Sequence, residues 1–387
     1  TMEVNPGASI RIGGHSFTIE GEQSMEQVRR DVRSRTIDSD NAWADELQAM
    51  LMALPPKGEG DEQVGLIDSR SMPSTALQQT TAGPVAMRLL LLLAAKSRAT
   101  DVHVEPKIGK YTVRFRVDGQ MIHIGDLPEK VGMLALGVIR TACQMQMAAQ
   151  DTVQDGRFSA KMKSRRVDYR VSVTPSVHGP KMVLRVLDAS IAPRSLSELG
   201  LPTYMHERIR RVCTKEQGFV LVCGPTGSGK TTTIHSLLRE LAAERRDRLP
   251  VAIEDPVERR LDGVVQVEVR PHLGYGFAEA LRAALRQDPD VLIIGEVRDP
   301  ETAQAAVRAA LTGHLVVTTL HCGRAGEAVP RLLEMGVRAE LLLPVLSGVL
   351  AQRLVRCVHT ACAGAGCPSC QGGYAGRRVI ADWVRPD

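Results

Sequence analysis

The sequence predicts an α/β protein in which a parallel-sheet domain with a glycine-rich loop follows a smaller α+β domain. In the second half of the chain, continuous apolar strands alternate with helical segments, which is typical of a parallel sheet covered on both faces. In the first half, segments that alternate apolar and polar residues follow one another closely, which indicates an antiparallel sheet. A chain of 387 residues also exceeds what one hydrophobic core usually serves.

Composition and charge narrow the class of protein. Hydrophobic residues make up 43% of the chain and aromatic residues only 3%, so the cores must be aliphatic. The net charge of +5 permits a nucleic-acid partner, but the basic runs at 161–166 and 244–248 lack the interleaved aromatic residues of such a patch. No signal peptide is visible, and the longest apolar run, 89–95, is far below the about 20 residues of a membrane span. We therefore expect a cytoplasmic protein with no nucleic-acid partner.

Residues 1–81 are predicted to form a small N-terminal region and a linker. Residues 9–20 suggest a hairpin, and residues 41–54 show the helical spacing of apolar side chains that is typical of a core-facing stripe. Residues 55–83 are rich in Pro, Gly, Ser, Thr and Gln, and we interpret them as the linker.

An α+β domain is predicted over residues 82–190. It opens with a buried helix, and residues 111–124 then alternate in polarity around Asp118-Gly119, a dipeptide that favours a hairpin turn. A helix near 128–149 and further alternating strands complete the predicted antiparallel sheet.

Residues 191–387 are predicted to form the parallel-sheet domain. Its continuous apolar strands lie at 219–224, 250–255, 290–295 and 315–320, and helical segments separate them at 230–246, 276–287 and 300–312. Because the carboxyl ends of parallel strands meet at one edge of a sheet, we expect the side chains that follow these strands to share one crevice.

The stretch GPTGSGKTTT follows the first of these strands and fits the phosphate-loop pattern G-x4-G-K-[ST] without a mismatch. Glycines permit backbone angles that aim N–H groups at phosphate oxygens, and the positive N-terminus of the next helix adds to the attraction. Lys230 is expected to reach the β- and γ-phosphates, and the Thr231 hydroxyl to ligate magnesium. The predicted nucleotide-binding residues are Gly224, Pro225, Thr226, Gly227, Ser228, Gly229, Lys230, Thr231 and Thr232.

Acidic residues follow two more of the apolar strands. Glu296 ends a strand that in nucleotide-hydrolysing proteins usually ends in a magnesium-binding aspartate, so we predict that it holds or orients magnesium and its waters. The alternative is a surface glutamate after a core strand. Glu254 is the candidate for orienting the attacking water, with Glu258 behind it. His314 and His321 flank the last strand and are predicted to contact the nucleotide as γ-phosphate sensors, the alternative being hydrogen-bonded polar groups.

These segments resemble a known family. GPTGSGKTTT, AIEDPVE, LRQDPDVLIIGEVRDPETA and TGHLVVTTLH resemble, in this order, the Walker A, Asp, Walker B and His boxes of the type II secretion and type IV pilus assembly ATPases. Segments of the middle domain, among them DVHVEP, VRFRVDG and VQDGRF, are similar as well. The resemblance covers about residues 84–380 and assigns no role to residues 1–80.

The resemblance implies a RecA-like ATPase domain preceded by a PAS-like α+β domain, assembled as a homohexamer. In such rings the middle domain packs over a neighbour's nucleotide site and brings arginines to the phosphates. By position in VDYR and VLR, Arg170 and Arg185 are the catalytic candidates. Arg114 and Arg116 are further candidates, and they could equally face solvent.

The resemblance also implies a function. Family members use ATP and magnesium to move an inner-membrane platform protein with associated cytoplasmic assembly proteins, which drives pilin or pseudopilin subunits out of the membrane. The chain is therefore expected to associate peripherally with the inner membrane through partners. The alternatives are a type IV secretion or conjugation ATPase, a pilus retraction ATPase, and a nucleotide-gated structural ring that barely hydrolyses ATP. Threading of DNA would predict basic or aromatic pore loops, and none is evident.

Half of the eight cysteines cluster near the C-terminus. Cys357, Cys362, Cys367 and Cys370 could form a tetrahedral structural zinc site, and His359 could replace one ligand. The cluster resembles that of secretion and pilus-extension members, although its first pair is spaced by four residues and the usual insertion is nearly absent. Reduced surface thiols are the alternative. The remaining cysteines are predicted to be packing residues: Cys143, Cys213, Cys223 and Cys322.

Overall fold

The computed structural model describes residues 9–12, 15–18, 42–53, 64–148, 151–162, 165–188, 195–245, 247–366 and 373–385. The chain divides into two compact units. The first contains residues 1–190 and 356–376, and the second contains residues 191–355 and 377–387. The segment that carries Cys357 and Cys362 therefore belongs to the first unit.

The first unit contains an antiparallel sheet and helices packed against it. Its described strands are β1 (Ser9–Ile12), β2 (His15–Thr18), β3 (Gly65–Ile67), β4 (Pro73–Ser74), β5 (Asp101–Lys107), β6 (Lys110–Val117), β7 (Gln120–Pro128), β8 (Gln154–Lys161), β9 (Arg166–Thr174) and β10 (Lys181–Leu187). Its described helices are α1 (Ala42–Ala53), α2 (Ala82–Lys96) and α3 (Glu129–Ala142). β1 and β2 pair as a separate hairpin, and the other strands form one sheet in the order β4-β3-β8-β9-β10-β5-β6-β7.

The alternation of polarity in β6 has the predicted consequence. Tyr111, Val113 and Phe115 are buried while the residues between them are half-exposed, and Asp118 and Gly119 adopt positive φ angles of 50° and 84° in the turn to β7. The buried face joins one hydrophobic core with α1, α2 and α3. The predicted core stripe of α1 is confirmed where the structure describes it, because its apolar residues are buried there: Trp43, Leu47, Met50 and Leu51.

The predicted linker is wrong over part of its length. β3 and β4 fall within residues 55–83, and β3 pairs antiparallel with β8 so that Leu66 lies opposite Ala160. Leu66 is 1% exposed, so this segment contributes to the core. The strand is only three residues long, and so short a strand carries too few side chains to show alternation. Residues 54–63 lie outside the described residues.

The second unit contains the predicted parallel sheet. Its strands are β11 (Gly218–Cys223), β12 (Pro250–Glu254), β13 (Val265–Glu268), β14 (Val291–Ile294), β15 (Leu315–Leu320), β16 (Leu346–Val358) and β17 (Tyr374–Val384), of which the last two extend into the segment assigned to the first unit. Its helices are α4 (Thr203–Cys213), α5 (Lys230–Glu244), α6 (Phe277–Ala284), α7 (Pro300–Leu311), α8 (Ala328–Glu334) and α9 (Ala339–Leu342). The strand order is β13-β12-β14-β15-β11-β16-β17, and the pairs from β13 to β16 are parallel.

Burial on both faces explains why these strands are continuous apolar runs. In β11, Phe219, Leu221 and Cys223 enter one hydrophobic cluster, while Val220 and Val222 enter the cluster on the other face. The carboxyl ends of β11, β12, β14 and β15 lie at the same edge of the sheet, where the predicted site residues follow them. Within the described residues, no helix is both long enough and apolar enough to cross a membrane.

Candidate nucleotide site

The loop between β11 and α5 has the backbone conformation of a phosphate loop. Gly224 has a φ of 152°, and a Cβ there would lie 2.5 Å from the Gln352 carbonyl oxygen and from the Ser228 Oγ. Gly229 precedes the first turn of α5 with a φ of 88°. These angles and this crowding require glycine, so the glycines of the motif are explained by the fold itself.

Lys230 is folded back onto this loop. Its Nζ donates hydrogen bonds to the carbonyl oxygens of Gly224 at 2.8 Å and Pro225 at 3.1 Å. Burial lowers the pKa of Lys230, and the nearby Glu296 carboxylate acts in the opposite direction. The Ser228 hydroxyl is buried and has no hydrogen-bond partner. The donor set of ammonium, hydroxyl and helix N-terminal N–H groups therefore fits a phosphate ligand.

Gln352 braces the loop from the neighbouring strand β16, and the sequence reasoning missed it. Its Nε2 donates to the Ser228 carbonyl oxygen at 2.8 Å, and its Oε1 accepts from the Thr233 hydroxyl at 2.9 Å. The side chain is 2% exposed. The detectable sign was a long polar amide residue in the mostly apolar beginning of β16.

Glu296 lies at the same edge, immediately after β14. Its carboxylate forms an ion pair with the Arg298 guanidinium and lies 3.6 Å from Nε2 of His321. Thr319 of β15 holds the preceding backbone, because its hydroxyl donates to the Gly295 carbonyl oxygen at 2.7 Å. The ion pair with Glu296 raises the pKa of Arg298. The structure thus places Glu296 near both His321 and Lys230.

Glu254 is at the predicted strand end, but both of its carboxylate oxygens have hydrogen-bond partners. One carboxylate oxygen lies 3.1 Å from Nε2 of His235 on α5, and the other accepts from the Gln266 amide at 2.7 Å. Glu254 is 5% exposed, whereas Glu258 is half-buried. In this geometry Glu254 connects α5 with β12 and β13, a role that sequence reasoning did not assign.

His314 does not reach this edge. β15 runs parallel to β11, with Leu315 opposite Gly218 and Leu320 opposite Cys223. His314 therefore lies at the start of the strand, the length of β15 away from the phosphate loop, or roughly 20 Å at about 3.3 Å per residue. Its Nδ1 lies 2.9 Å from the Ala309 carbonyl oxygen. The prediction that His314 contacts the nucleotide of its own subunit is wrong, because flanking a strand on both sides separates two residues by its full length.

In the first unit, three arginines lie opposite one another on adjacent strands. Arg170 of β9 is opposite Arg185 of β10 on one side and Arg157 of β8 on the other. We call these three residues the arginine row. Arg185 also lies 3.5 Å from the Asp101 carboxylate, which Arg116 approaches at the same distance. Because directly opposite residues share a face of a sheet, the three side chains lie on one face.

Arg114, a further candidate arginine, forms a 2.6 Å ion pair with the buried Glu105, so it already has an acidic partner within the first unit.

The structure describes part of the cysteine cluster. Cys362 Sγ lies 3.5 Å from Nδ1 of His359. Cys367 and Cys370 lie outside the described residues, and among those described no group of three or more His, Cys, Asp or Glu side chains is arranged to hold a metal ion.

The comparison with known proteins decides the family. A family model described as "Type II/IV secretion system protein" matches residues 79–387. The chain belongs to this family. It is 40% identical over 318 residues to the type II secretion system ATPase E of Vibrio cholerae, covering 82% of this chain and 61% of the relative. The chain thus spans less than two thirds of that relative's length.

Two solved ATPase and motor structures have the same fold. The ATPase DotB of Legionella pneumophila superposes with a TM-score of 0.65 at 26% identity, covering 80% of this chain and 83% of DotB. The pilus retraction motor PilT, solved with bound ADP, gives a TM-score of 0.57 at 28% identity over 77% of this chain and 82% of PilT. The resemblance inferred from the sequence boxes and the predicted RecA-like fold class are confirmed.

Proposed function

We propose that this protein is an ATPase that powers type II protein secretion or type IV pilus assembly. The convergence of Lys230, Glu296 and His321 at one sheet edge carries the proposal. Its relative in Vibrio cholerae is named an ATPase of type II secretion, and the solved structure of PilT holds ADP. Phosphate release from ATP by the purified chain tests the activity, with a magnesium-free reaction as the control.

In this proposal each group at the edge has a defined task. The N–H groups at the start of α5 and the Lys230 ammonium bind the phosphates, which replace the carbonyl oxygens that Lys230 now contacts. Thr231 and Glu296 are the residues that would hold magnesium, which neutralises charge on the phosphates when bound. His321 contacts the γ-phosphate and Glu296 at the same time, because its imidazole already faces that carboxylate.

Glu254 remains the candidate for orienting the attacking water. Both of its oxygens are hydrogen-bonded in the structure, so that task requires His235 or Gln266 to release one of them. Glu258, half-buried and four residues further on, is the second candidate. Comparing Glu254→Gln with Glu258→Gln separates the two: the water-orienting carboxylate is the one whose loss abolishes turnover but leaves ATP binding intact.

The proposed active form is a homohexamer in which the arginine row meets the phosphates of a neighbouring subunit. Two exposed arginines flanking the half-buried Arg170 supply positive charge on one sheet face. Arginines in this place would stabilise transition-state charge in the manner of an arginine finger. The ring is expected to act at the inner membrane on a platform protein and associated cytoplasmic proteins.

A structural zinc site is proposed at the cysteine segment. Gly366 and Gly373 bracket residues 367–372, and a Cβ built on Gly366 would lie 3.8 Å from the Gly373 nitrogen. The His359 N–H also donates to the Gly373 carbonyl oxygen at 2.8 Å. The ends of the segment that carries Cys367 and Cys370 therefore lie beside His359, and Cys362 is 3.5 Å from that imidazole. Cysteine and histidine are the ligands that structural zinc prefers.

The family description, which names type II/IV secretion, and the likeness to the retraction motor PilT keep a type IV secretion ATPase and a retraction motor as competing functions. Deletion of the gene, followed by assays of exoprotein release, pilus extension and pilus retraction, separates them. Loss of release or extension supports the proposal, whereas pili that extend but cannot retract would contradict it.

A further inference from the structure

Two cysteines lie at the sheet edge that carries the phosphate loop. Cys223 is the last residue of β11, and Cys322 follows the end of the adjacent parallel strand β15 by two residues. Cys223 is opposite Leu320, and the Cys322 N–H donates to the Leu320 carbonyl oxygen at 3.2 Å. The chain thus turns at Cys322 and keeps this residue next to the end of β11.

Both thiols are on the same face of the sheet. Phe219, Leu221 and Cys223 alternate into one hydrophobic cluster, and Cys322 packs against that cluster, half-buried at its margin. A side-chain hydrogen bond joins the two thiols. Cys223 is a fully buried member of the cluster, so the pair joins a core thiol to a thiol at the margin of the core.

The surroundings shift the pKa values of the two thiols in opposite directions. The hydrogen bond from Cys223 lowers the pKa of Cys322, and the Lys230 ammonium acts in the same direction. The same hydrogen bond, together with burial, raises the pKa of Cys223. Cys213, which is buried in the other cluster of this unit, has its pKa raised to about 12 by burial. Cys322 is therefore the more nucleophilic thiol of the pair.

We propose that Cys223 and Cys322 form an oxidisable dithiol site that reacts with hydroperoxides and closes to a disulfide. The Cys322 thiolate attacks the terminal oxygen of the hydroperoxide and breaks the O–O bond, which gives a sulfenic acid and an alkoxide, or hydroxide in the case of hydrogen peroxide, that takes the proton lost from Cys322. The Cys223 thiol then attacks the sulfenic sulfur, and the S–OH bond breaks as water leaves with the Cys223 proton. Two electrons pass from the two thiols to the peroxide.

The disulfide would join two segments of the nucleotide site. Cys223 is bonded to Gly224, the first glycine of the phosphate loop, which is packed closely against Gln352 and Ser228. Cys322 is bonded to His321, which faces the Glu296 carboxylate. Because misplacement by about 1 Å can reduce a catalysed rate by about 100-fold, we expect oxidation to lower turnover strongly, an effect that rests on the proposed ATPase function.

The experiment treats the purified full chain with hydrogen peroxide and follows two readouts. Alkylation and peptide mapping without reductant report the bond, and phosphate release reports turnover. We expect a linked peptide containing Cys223 and Cys322, with turnover lowered at least about tenfold and restored by dithiothreitol. Cys322→Ser should keep its turnover in peroxide, whereas the control Cys213→Ser should be inactivated like the unmodified protein.

Two results would overturn the proposal. One is that both thiols remain free to alkylate after peroxide treatment. The other is that Cys322→Ser loses as much turnover as the unmodified protein. If the reduced protein releases no phosphate at all, the ATPase proposal fails, and the peptide map still decides whether the dithiol site exists.

Discussion

The imidazole Nε2 of His235 lies 3.1 Å from a carboxylate oxygen of Glu254, and both side chains are buried. His235 is on the helix that begins at Lys230, and Glu254 ends the strand two places away from β15 in the sheet. One buried contact therefore connects the helix that follows the phosphate loop to the end of β12. Gln266, which donates to the other oxygen of Glu254, extends the connection to β13.

Substituting His235 by Leu is expected to destabilise the second unit. The change leaves a buried Glu254 oxygen without its partner, which costs about 1–3 kcal/mol of the free energy of unfolding. Urea unfolding measures it. His206→Leu is the control, because His206 lies 3.8 Å from Glu240 at a more exposed position, where such a pair contributes less than about 1 kcal/mol. Equal effects of the two substitutions would contradict an anchoring role for His235.

Lys230→Ala and Glu296→Gln are expected to lose phosphate release for different reasons. Without the Lys230 ammonium the phosphates are poorly held, so ATP binding falls with turnover. Glu296→Gln keeps the shape of the side chain but removes its charge, so we expect ATP binding to persist while turnover falls at least about 100-fold. Binding of a fluorescent ATP analogue beside phosphate release separates the two. Hydrolysis that survives in Glu296→Gln would transfer the catalytic role to Glu254 or Glu258.

The arginine row is expected to act in trans. Arg185→Ala and Lys230→Ala each lose turnover, but mixed rings contain sites that have an intact lysine and an intact neighbouring arginine. Mixing the two inactive proteins should therefore restore part of the phosphate release. Arg157→Ala should behave like Arg185→Ala, because both residues lie opposite Arg170.

The control for this experiment is Arg331→Ala, since Arg331 is an exposed arginine paired with Glu334 on α8. It should retain turnover on its own. If mixing Arg185→Ala with Lys230→Ala gives no gain over the separate proteins, the shared site is refuted.

The zinc proposal predicts about one zinc ion per chain in protein purified without chelator, measured by elemental analysis. Cys362→Ser should lower the zinc content and the midpoint of thermal unfolding. Cys143→Ser is the control, because Cys143 is buried away from the segment and burial raises its pKa to about 12. Only traces of zinc in the unmodified protein would reject the site and favour reduced thiols.

Much of the fold followed from local patterns. Continuous apolar runs identified β11, β12, β14 and β15, because a strand buried on both faces needs apolar residues at every position. β3 was missed because three residues are too few to show an alternation of polar and apolar side chains. β16 was missed because its buried first half is followed by a polar, exposed second half. The prediction for His314 failed because nearness along the chain was taken for nearness in space.

By itself, the sequence determined the phosphate loop, its helix and the acid after β14, because each depends on residues that are adjacent in the chain. Only the tertiary structure decided which distant side chains complete the site. Gln352 and Ser228 are separated by 124 positions, and Cys223 and Cys322 are separated by most of the sheet along the chain but lie near the ends of two adjacent strands. Such contacts depend on strand order and register. Because the burial of whole sheet faces sets both of these, they cannot be predicted from any short stretch of sequence.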